Sequence, residues 1–449
     1  MYAVYSLLIL LFGAIVSPYL VYQALRYKKY IGSLRQRMGY LPVSFNLDGD
    51  PSIWIHAVSV GEALTVRALM SELRARYPTL RIFLSTTTLA GQQVARRNLQ
   101  DVDAVFYFPF DLSFVVRRTL RLVKPKLFVM METEIWPNLL RECQRMGVAT
   151  VMVNGRISAR SYPRYKLVRP FFRRVLADID RFCMQSEESA RRLVEIGADP
   201  ASVVVTGSLK FDAMGPPAAG VLEGRGQNRV LRYFRITAGR TVIVAGSTMR
   251  DEEQMVLNAF RRIKSASGVG ASPLLVIAPR HPERFGEVVQ LAKNQAFVTA
   301  RRSDLPIDAE PRADVVVLDT IGELAQVYQI ATAVFVGGSL VDSGGHNILE
   351  PAVFGKAVVF GPYMQNFREI ADAFVTQDAG VQVQSPRELE QELQTLLTDP
   401  VRRARLGAAA RALVESNRGA KDKTLAAIAQ LLPVRSGTMG VVRPFRVVH

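Results

Sequence analysis

The sequence contains few of the residues that disulfide frameworks and metal sites require. It has two cysteines, Cys143 and Cys183, and four histidines, with no CxxC pair and no zinc-ligand spacing. This scarcity excludes a disulfide-stabilised scaffold and indicates a reducing compartment. No GxxxxGK(S/T) segment occurs, which argues against P-loop NTPase chemistry. Two DxD strings, at 101–103 and 178–180, are tripeptides too common to indicate a metal, so no metal is predicted.

Charged side chains are absent from Met1 to Leu25, and the segment from Tyr5 to Tyr22 is almost wholly apolar. Such a segment approaches the roughly 20 residues that cross a bilayer. Lys and Arg follow at once, so the positive-inside rule predicts a single membrane anchor over residues 1–28 with the rest in the cytoplasm. A cleaved signal peptide is disfavoured because no basic residue precedes the apolar segment. Pro18 leaves a shallow or kinked insertion open.

Acidic residues are in the minority, since 57 Lys and Arg oppose 40 Asp and Glu and give a net charge of +17. This balance predicts a polyanionic partner, which charge alone leaves as a membrane leaflet, a phosphorylated lipid or nucleic acid. Hydrophobic residues make up 49% of the 449 residues. A chain of this size and composition is long enough for two ordinary domains with full cores, which excludes disordered and small-scaffold classes.

Apolar runs of strand length alternate with amphipathic helical patterns, which is typical of parallel sheets covered on both faces. The predicted strands are 53–58, 82–85, 104–108, 127–131, 150–153, 181–184 and 203–205, then 241–245, 274–277, 315–318, 333–336 and 357–360. We therefore expect an α/β fold of two Rossmann-like domains, 29–215 and 241–433, facing a ligand cleft at the strand ends. A Gly-, Pro- and Arg-rich linker, 216–240, and a basic tail, 434–449, complete the predicted organisation.

Carboxylates follow two predicted strands of the first domain, at Glu62 and Glu132. A carboxylate at a strand end can act as a general base if burial or a like-charged neighbour raises its pKa. Glu62 equally completes a capping box with Ser59, a purely structural device. Glu132 continues an apolar run, so we expect it to be buried and to need a cation such as Lys210. Locally, a solvated lysine remains the favoured interpretation of Lys210.

Strand-to-helix turns of the second domain carry groups that bind anions. Ser247 and Thr248 offer hydroxyls and backbone N–H groups after one strand, and Arg280 and His281 follow the next. A third turn of this kind is predicted at 319–324. These turns predict a phosphate site in the second domain.

The segment 339–351 follows another apolar strand and contains Gly344 and Gly345, which let backbone approach a ligand closely. The N–H groups of the helix that it opens can receive phosphate, and Glu350 can accept from sugar hydroxyls. Asn347 with Glu350 three residues later also predicts a capping box, and locally the two interpretations are equally good.

Three of the four histidines, His56, His281 and His346, fall at or just beyond predicted strand ends. The carboxyl ends of parallel strands form ligand clefts, so this placement predicts shared cleft membership and not zinc ligation. Direct roles for His56 and His346 are hypotheses at this point.

Nine short segments in order resemble the 3-deoxy-D-manno-octulosonic acid (Kdo) transferases, membrane-anchored GT-B glycosyltransferases that move Kdo from CMP-Kdo to the lipid A precursor, lipid IVA. Each segment is a weak signal alone, whereas the ordered set is specific. Across residues 50–370 they are HAVSVGE, METEIWPN, NGRIS, GSLKFD, AGSTMRDEE, APRHPERF, DTIGEL, FVGGSL and GGHNILEP.

The resemblance implies a role for each matching position. Glu62 matches the proton acceptor, and Glu132 and Lys210 match residues that stabilise the transition state. The implied CMP-binding residues are Arg280, His281, Ile321, Gly322, Glu323, Asn347, Ile348, Leu349 and Glu350. Ser247, Thr248 and Arg156 are further candidates for phosphate or acceptor contacts.

The same resemblance implies an inverting transfer in lipopolysaccharide biosynthesis that uses CMP-Kdo as donor and needs neither a metal nor a cofactor. The expected partners are CMP-Kdo, the lipid A precursor and anionic lipids of the inner membrane, with no nucleic acid. A basic stretch could take the acceptor's phosphates, although a solvated helix face is the commoner meaning; its members are Arg156, Arg160, Arg164, Lys166, Arg169, Arg173 and Arg174.

Two alternatives remain open from the sequence. The first is another GT-B nucleotide-sugar transferase or an epimerase, because the fold hosts many donors; it predicts a preference for UDP. The second is a non-catalytic, membrane-tethered binder of an anionic polymer, which predicts a steep salt dependence. The carboxylates at the strand ends speak against the second alternative, because they would repel a polyanion.

Overall fold

The computed structural model of the chain describes residues 1–27, 31–46, 48–98, 101–213, 229–266 and 272–433. The chain forms two compact units, the first comprising Met1–Ala213 with Arg418–His449 and the second Met214–Asn417. Each unit contains one seven-stranded sheet. The predicted basic tail, 434–449, and the linker residues 216–228 lie outside the described residues.

The sheet of the first unit is entirely parallel and has the strand order β3-β2-β1-β4-β5-β6-β7. Its strands are largely buried apolar runs, as expected for a sheet covered on both faces. They are β1 (Ser52–His56), β2 (Arg81–Thr86), β3 (Ala104–Tyr107), β4 (Pro125–Met131), β5 (Ala149–Gly155), β6 (Arg181–Met184) and β7 (Val203–Val205). All seven coincide with predicted strands.

Helices connect these strands and cover the sheet. Among the described residues up to 213 they are α1 (Tyr2–Tyr27), α2 (Ile31–Arg37), α3 (Val60–Arg76), α4 (Leu89–Asn98), α5 (Ser113–Val123), α6 (Pro137–Arg145), α7 (Tyr162–Leu167), α8 (Arg169–Leu176), α9 (Glu187–Ile196) and α10 (Leu209–Asp212). Buried aromatic residues such as Trp54, Phe106 and Phe128 fill the core on one face of the sheet.

The second unit repeats this architecture with the strand order β10-β11-β9-β8-β12-β13-β14, again all parallel. Its strands are β8 (Val242–Thr248), β9 (Leu274–Pro279), β10 (Thr299–Arg301), β11 (Val315–Val317), β12 (Ala333–Val336), β13 (Ala357–Phe360) and β14 (Val381–Gln382). Its helices are α11 (Glu252–Ser265), α12 (Phe285–Asn294), α13 (Leu324–Val327), α14 (Leu349–Ala352), α15 (Arg368–Thr376), α16 (Pro386–Thr398) and α17 (Pro400–Ser416). The short edge strands β10 and β14 were not predicted.

The last helix, α18 (Ala420–Leu431), belongs to the first unit, so the predicted second domain is wrong at its C-terminal end. Leu425 and Ile428 are buried in the core that Ile53 and Val129 form on the first sheet. Asp212 of α10 accepts hydrogen bonds from the backbone N–H groups that begin α18. The amphipathic pattern of a helix indicates that it packs on a sheet, but it does not indicate which of the two sheets.

The N-terminal helix α1 forms where the anchor was predicted, and its first turns lie against the first unit. Tyr2 donates a hydrogen bond to Asp178, and the Tyr5 hydroxyl donates to Asp111 at 2.9 Å. Beyond them, Leu7, Phe12 and other apolar side chains are exposed. Among the residues that the structure describes, however, no helix is both long and apolar enough to cross a membrane, so the predicted spanning anchor is not supported.

Candidate active site

The two sheets bring the predicted site segments to their topological switch points, where ligands bind in open α/β sheets. In the first sheet β1 lies beside β4, and the chain continues outward from both. In the second sheet β8 holds the equivalent position beside β12. Glu62 follows β1 and Glu132 follows β4. Ser247 lies near the end of β8, and His346 follows β12. Each unit therefore presents a group of predicted site residues at one sheet edge.

Glu62 combines the two interpretations that its sequence left open. It lies in the first turn of α3, where its carboxylate accepts from the Val58 N–H at 2.8 Å and from the Ser59 hydroxyl at 3.0 Å. The Ser59 hydroxyl also accepts from the Glu62 N–H at 3.4 Å and so caps α3. Both bonds to the carboxylate lower the pKa of Glu62. Burial and the negative charges of Glu132 and Glu134 outweigh them and raise the pKa of Glu62 to about 7. A carboxyl group with this pKa can exchange a proton near neutral pH.

Glu132 lies at the end of β4 with a φ of 54°, a left-handed conformation that is costly for a residue with a side chain. Its N–H donates to the Val153 carbonyl at 2.9 Å, so the turn is fixed to β5. The Lys210 Nζ lies 3.9 Å from the Glu132 carboxylate, and both side chains are partly exposed. The expected cation therefore lies beside Glu132, which is less buried than the sequence indicated.

Asn154 positions Lys210, and the sequence analysis gave it no role. The residue ends β5 with a φ of 55°, is fully buried, and its side-chain oxygen accepts from the Leu209 N–H at 3.0 Å. The Ser208 hydroxyl donates to the same oxygen at 3.4 Å. The positions of Asn154 at a strand end and at the start of the NGRIS segment were the signals in the sequence, and neither indicates the partner.

His56 lies beside Glu134 at the end of β1. Its Nδ1 lies 3.1 Å from the Ser85 carbonyl oxygen, its Nε2 lies 3.7 Å from the Glu134 carboxylate, and its ring stacks on Phe108. The Trp136 Nε1–H donates to the same carboxylate at 3.0 Å. The Nδ1 atom also lies 3.0 Å from the Ser85 hydroxyl oxygen, so the donor and acceptor roles of the two ring nitrogens depend on the tautomer. The indole thus orients Glu134, whose charge acts on Glu62.

The basic stretch forms α7, α8 and the turns around them, and most of its cationic side chains are exposed. Arg169 and Arg173 line an open cavity of about 520 Å³ at the C-terminal end of α9. The Arg156 carbonyl accepts from the Thr133 hydroxyl, which fixes Arg156 beside the turn that contains Glu132. This surface has the positive charge that can bind phosphate groups.

The DxD strings have structural partners. Asp103 pairs with Arg74 and Arg81, and Asp180 accepts from the Thr150 N–H at 2.7 Å. These contacts of Asp103 and Asp180 tie helix and strand ends to the first sheet.

In the second unit, Arg280 and His281 follow β9 and are exposed. They lie close enough to His346 that their charges, after burial itself, lower the pKa of its imidazole to about 4. His346 is therefore neutral at pH 7. Its Nε2 is buried and has no hydrogen-bond partner among the described residues, so it has bonding capacity left for a ligand. Burial also raises the pKa of Glu350, while Asn347 and Arg280 act in the opposite direction.

The helix opening at Asn347 is smaller than the sequence indicated. Asn347 accepts from the Leu349 N–H at 3.2 Å and donates to Glu350 at 3.5 Å. The helix α14 has only four residues, so its dipole is too small to be the main support for a phosphate. Its N-cap residue is Ile348, without a side-chain capping bond, so the predicted capping box of Asn347 with Glu350 is wrong. Ile348 and Leu349 are buried in the core.

Two other predicted contacts have internal partners. Glu323 pairs with the buried Arg302 at 2.9 Å and accepts from the Thr320 hydroxyl at 2.6 Å, while Ile321 beside it is exposed. The Thr248 hydroxyl is buried and points to Glu253 at 3.5 Å. Gly322 has a φ of 87° and is exposed. Ser247 has a φ of 55° and is half-buried within β8, at a point where the register with β9 shifts. The prediction that Ser247 and Thr248 follow the strand is therefore wrong, because β8 extends through both residues.

Comparison with known proteins identifies the class of this site. Residues 32–213 match the family model described as 3-deoxy-D-manno-octulosonic-acid transferase (kdotransferase), and residues 300–413 match glycosyl transferases group 1. The solved UDP-GlcNAc 2-epimerase of Neisseria meningitidis, with bound UDP-GlcNAc, has 13% identity and a TM-score of 0.57 over 85% of this chain and all of that one. At this identity the likeness shows the fold alone, a GT-B-like pair of Rossmann-like domains.

Similar curated sequences define the family more narrowly. The 3-deoxy-D-manno-octulosonic acid transferase of Haemophilus influenzae is 31% identical over 94% of this chain and 96% of its own length. A bifunctional glycosyltransferase/methyltransferase of Fusobacterium nucleatum is 34% identical over 78% of this chain, which spans about half (53%) of that protein. The chain belongs to the Kdo transferase family and is a glycosyltransferase.

Proposed function

We propose that the protein transfers Kdo from CMP-Kdo to the lipid A precursor, lipid IVA, during lipopolysaccharide biosynthesis, with inversion at the anomeric carbon and Glu62 as the general base. The observation that carries the proposal is the raised pKa of Glu62, about 7, at the switch point of a Kdo transferase sheet. An ordinary first-turn glutamate is fully ionised at pH 7 and too weak a base to assist proton removal.

The proposed step is a single displacement. A hydroxyl oxygen of the acceptor attacks the anomeric carbon of Kdo, and its proton passes to the Glu62 carboxylate. The bond between the anomeric carbon and the CMP phosphate oxygen breaks, and its electrons leave with CMP. Lys210 beside Glu132 supplies a fixed positive charge near the base. This charge stabilises the negative charge that develops on the attacking hydroxyl oxygen as its proton leaves. The step needs neither a metal nor a cofactor.

The second unit is proposed to hold the donor. Arg280 and His281 lie together as exposed polar groups, and the guanidinium can bind the phosphate that becomes the leaving group. Neutral His346 can hydrogen-bond the ligand through Nε2 without adding a buried charge. Asn347 and Glu350 offer an amide and a carboxyl to ribose or cytosine, as the family resemblance implies.

The acceptor is proposed to come from the cytoplasmic face of the inner membrane. Supporting this, α1 exposes Leu7, Leu11, Phe12 and Ile15, and Tyr2 and Tyr5 of the same helix pack on Phe171 of the basic helix α8. An apolar helix beside exposed arginines suits a helix that lies in the interface of an anionic leaflet. The same arginines attract a phosphorylated glycolipid.

The activity is tested by transfer of Kdo, from CMP-Kdo generated in situ, to tetraacylated lipid A precursor in detergent. We expect transfer by the natural chain and loss of transfer in Glu62→Gln. Glu187→Gln is the matched control, because Glu187 is also a first-turn acid of the first unit, in α9, but is exposed. Transfer by Glu62→Gln at the natural rate would refute the base, and absence of any transfer by the natural chain would refute the reaction.

Donor competition separates the alternatives. A Kdo transferase is expected to bind CMP in preference to UDP, whereas tighter binding of UDP would favour a different nucleotide-sugar enzyme. A binder of anionic polymers would lose affinity steeply with salt, and Glu62→Gln would leave that binding unchanged.

Membrane association is tested by sedimentation with vesicles that contain anionic lipid. The double variant Leu11→Asp and Phe12→Asp places charge on exposed positions of α1 and should abolish cosedimentation. Asp substitutions of the exposed Val298 and Val401 in the second unit serve as the control. Equal sedimentation of both double variants would contradict a role for α1.

A further inference from the structure

We propose that Glu252 and Glu253, two adjacent buried carboxylates, are positioning residues that hold the two donor-binding loops of the second unit in place. The inference rests on the proposed function, because it assumes that the segments after β9 and β12 bind CMP. Both side chains are completely buried, at 0% exposure, and neither belongs to the predicted ligand contacts. Buried carboxylates without a structural partner would be strongly destabilising, so their partners indicate what they do.

The strand order explains how adjacent residues reach different loops. In the second sheet β8 lies between β9 and β12, and the chain leaves β8 to begin α11 at Glu252. Successive side chains on an α-helix point about 100° apart. Glu252 therefore reaches the loop after β12 on one side, and Glu253 reaches the turn after β9 on the other.

Glu252 accepts four backbone hydrogen bonds. Its Oε2 accepts from the N–H of Met249 at 2.9 Å and of Gly338 at 2.6 Å, and its Oε1 accepts from Ser339 at 2.9 Å and Leu340 at 2.8 Å. Three of these donors are consecutive in the loop after β12. Such a row of N–H groups forms a concave anion site, and here the carboxylate of the protein fills it.

The loop held by Glu252 determines where His346 lies. Gly338 has a φ of 67°, and a Cβ at this position would lie 2.7 Å from His346 Cδ2, so the imidazole packs directly on the glycine backbone. The Gly345 N–H donates to the Gly338 carbonyl at 2.8 Å and closes the loop. Displacement of residues 338–340 would therefore displace His346 and the segment that follows it.

Glu253 holds the other loop through Arg284. The Arg284 guanidinium donates to Glu253 at 3.0 Å and 3.4 Å, and both side chains are almost completely buried. The Arg284 N–H also donates to the His281 carbonyl at 3.0 Å. This pair anchors the 3₁₀ turn Pro282–Arg284, which directly follows Arg280 and His281. The two carboxylates thus fix the positions of the proposed cationic and imidazole contacts to the donor.

The test measures local hydrogen exchange and CMP affinity in the full-length chain. Gln at position 252 places an NH₂ donor against backbone N–H groups, so Glu252→Gln should accelerate exchange in peptides covering 337–346 at least tenfold. Glu253→Gln should accelerate exchange in 280–287. Both variants should weaken CMP binding at least tenfold and raise the KM for CMP-Kdo more than they lower kcat. Glu287→Gln is the matched control, since Glu287 also pairs with Arg284 but is exposed, and it should bind CMP within twofold of the natural chain.

Each other outcome contradicts one specific part of the inference. Unchanged exchange at 337–346 in Glu252→Gln refutes the contact with the loop, and faster exchange with unchanged CMP affinity refutes the positioning role. If Glu252→Gln loses protection throughout the second unit, Glu252→Asp decides, because it keeps the charge on a side chain one methylene shorter. Local acceleration with weaker CMP binding in that variant supports the inference, and natural CMP affinity refutes it. If the natural chain fails to bind CMP, the donor proposal itself is refuted.

Discussion

The two units share a parallel-sheet architecture but carry opposite chemistry at their switch points. The first unit places Glu62, Glu132 and Glu134 close enough for their charges to interact. The second unit places Arg280, His281 and His346 in the equivalent relation. Strand order therefore brings the side chains of each group together, whereas their residue types determine whether the group is acidic or basic.

Burial disfavours the charged form of both Glu62 and His346, and it therefore shifts their pKa values in opposite directions. Removal from water favours the neutral form, so burial raises the pKa of Glu62 to about 7 and lowers that of His346 to about 4. Neighbours of like charge add to both shifts. One unit thereby gains a carboxyl group that titrates near neutral pH, and the other gains an imidazole that stays neutral there.

The largest expected effect separates catalysis from donor binding. Glu62→Gln should lower kcat by about 10²–10⁴-fold, the usual loss on removal of a general base. Its CMP dissociation constant should stay within twofold of the natural value, because Glu62 belongs to the first unit. Steady-state kinetics and calorimetric titration with CMP measure the two quantities. A comparable loss of CMP affinity would contradict the proposal that the first unit supplies the base and the second unit binds the donor.

The next effect concerns stability. Ile428→Ala removes a fully buried side chain of α18 and should destabilise the first unit by about 2–4 kcal/mol. Amide exchange measured for each unit should show faster opening of the first sheet alone. The control Val401→Ala truncates a side chain that is 77% exposed in the second unit. It should change neither the stability nor the amide exchange of either unit. Equal loss of protection in both units would show that they do not unfold independently.

Donor binding should show a smaller effect. Arg280→Ala should weaken CMP binding about 10–100-fold, equivalent to the roughly 1.5–3 kcal/mol of a charge-assisted hydrogen bond. Because the charge of Arg280 lowers the pKa of His346, an NMR titration should also show that this pKa rises. Arg387→Ala, at an exposed position in α16, is the control. An unchanged CMP affinity would remove Arg280 from the donor site.

The smallest effect is a shift in pH dependence. Glu62 must be ionised to accept a proton, so kcat/KM should rise with pH through about 7. Glu132→Gln removes the neighbouring charge that raises this pKa and should move the rise to lower pH by up to about one unit. Glu134→Gln should shift it less, because its charge contributes less, and Glu187→Gln should not shift it. A shift to higher pH in Glu132→Gln would contradict the assignment.

Much of the fold could be predicted from local pattern. Long buried strands such as β4 and β9 are continuous apolar runs, and they were predicted. The edge strands β10 and β14 have three and two residues, too few for a pattern to emerge. Helix α13 is also short, with four residues, because a 3₁₀ turn follows it.

The candidate site could be predicted only in part. Glu62 and Lys210 are noticeable in the sequence because they follow strands, and the structure brings Lys210 beside Glu132. Glu252 and Glu253 resemble ordinary first-turn helix acids, so nothing local indicates that they bind two different loops. The same limit applies to Asn154, whose partner Leu209 is 55 residues away.

The sequence by itself determined the alternation of strands and helices, the residue types at the strand ends and the family, because periodicity and ordered motifs are local properties. Only the tertiary structure decided which strand ends are neighbours, that α18 returns to the first sheet, and that Glu252 fills an anion site of the backbone. Parallel pairing joins segments far apart in the chain, and the pKa of a side chain depends on everything packed around it. A local sequence pattern therefore determines neither the strand pairing nor the pKa of a side chain.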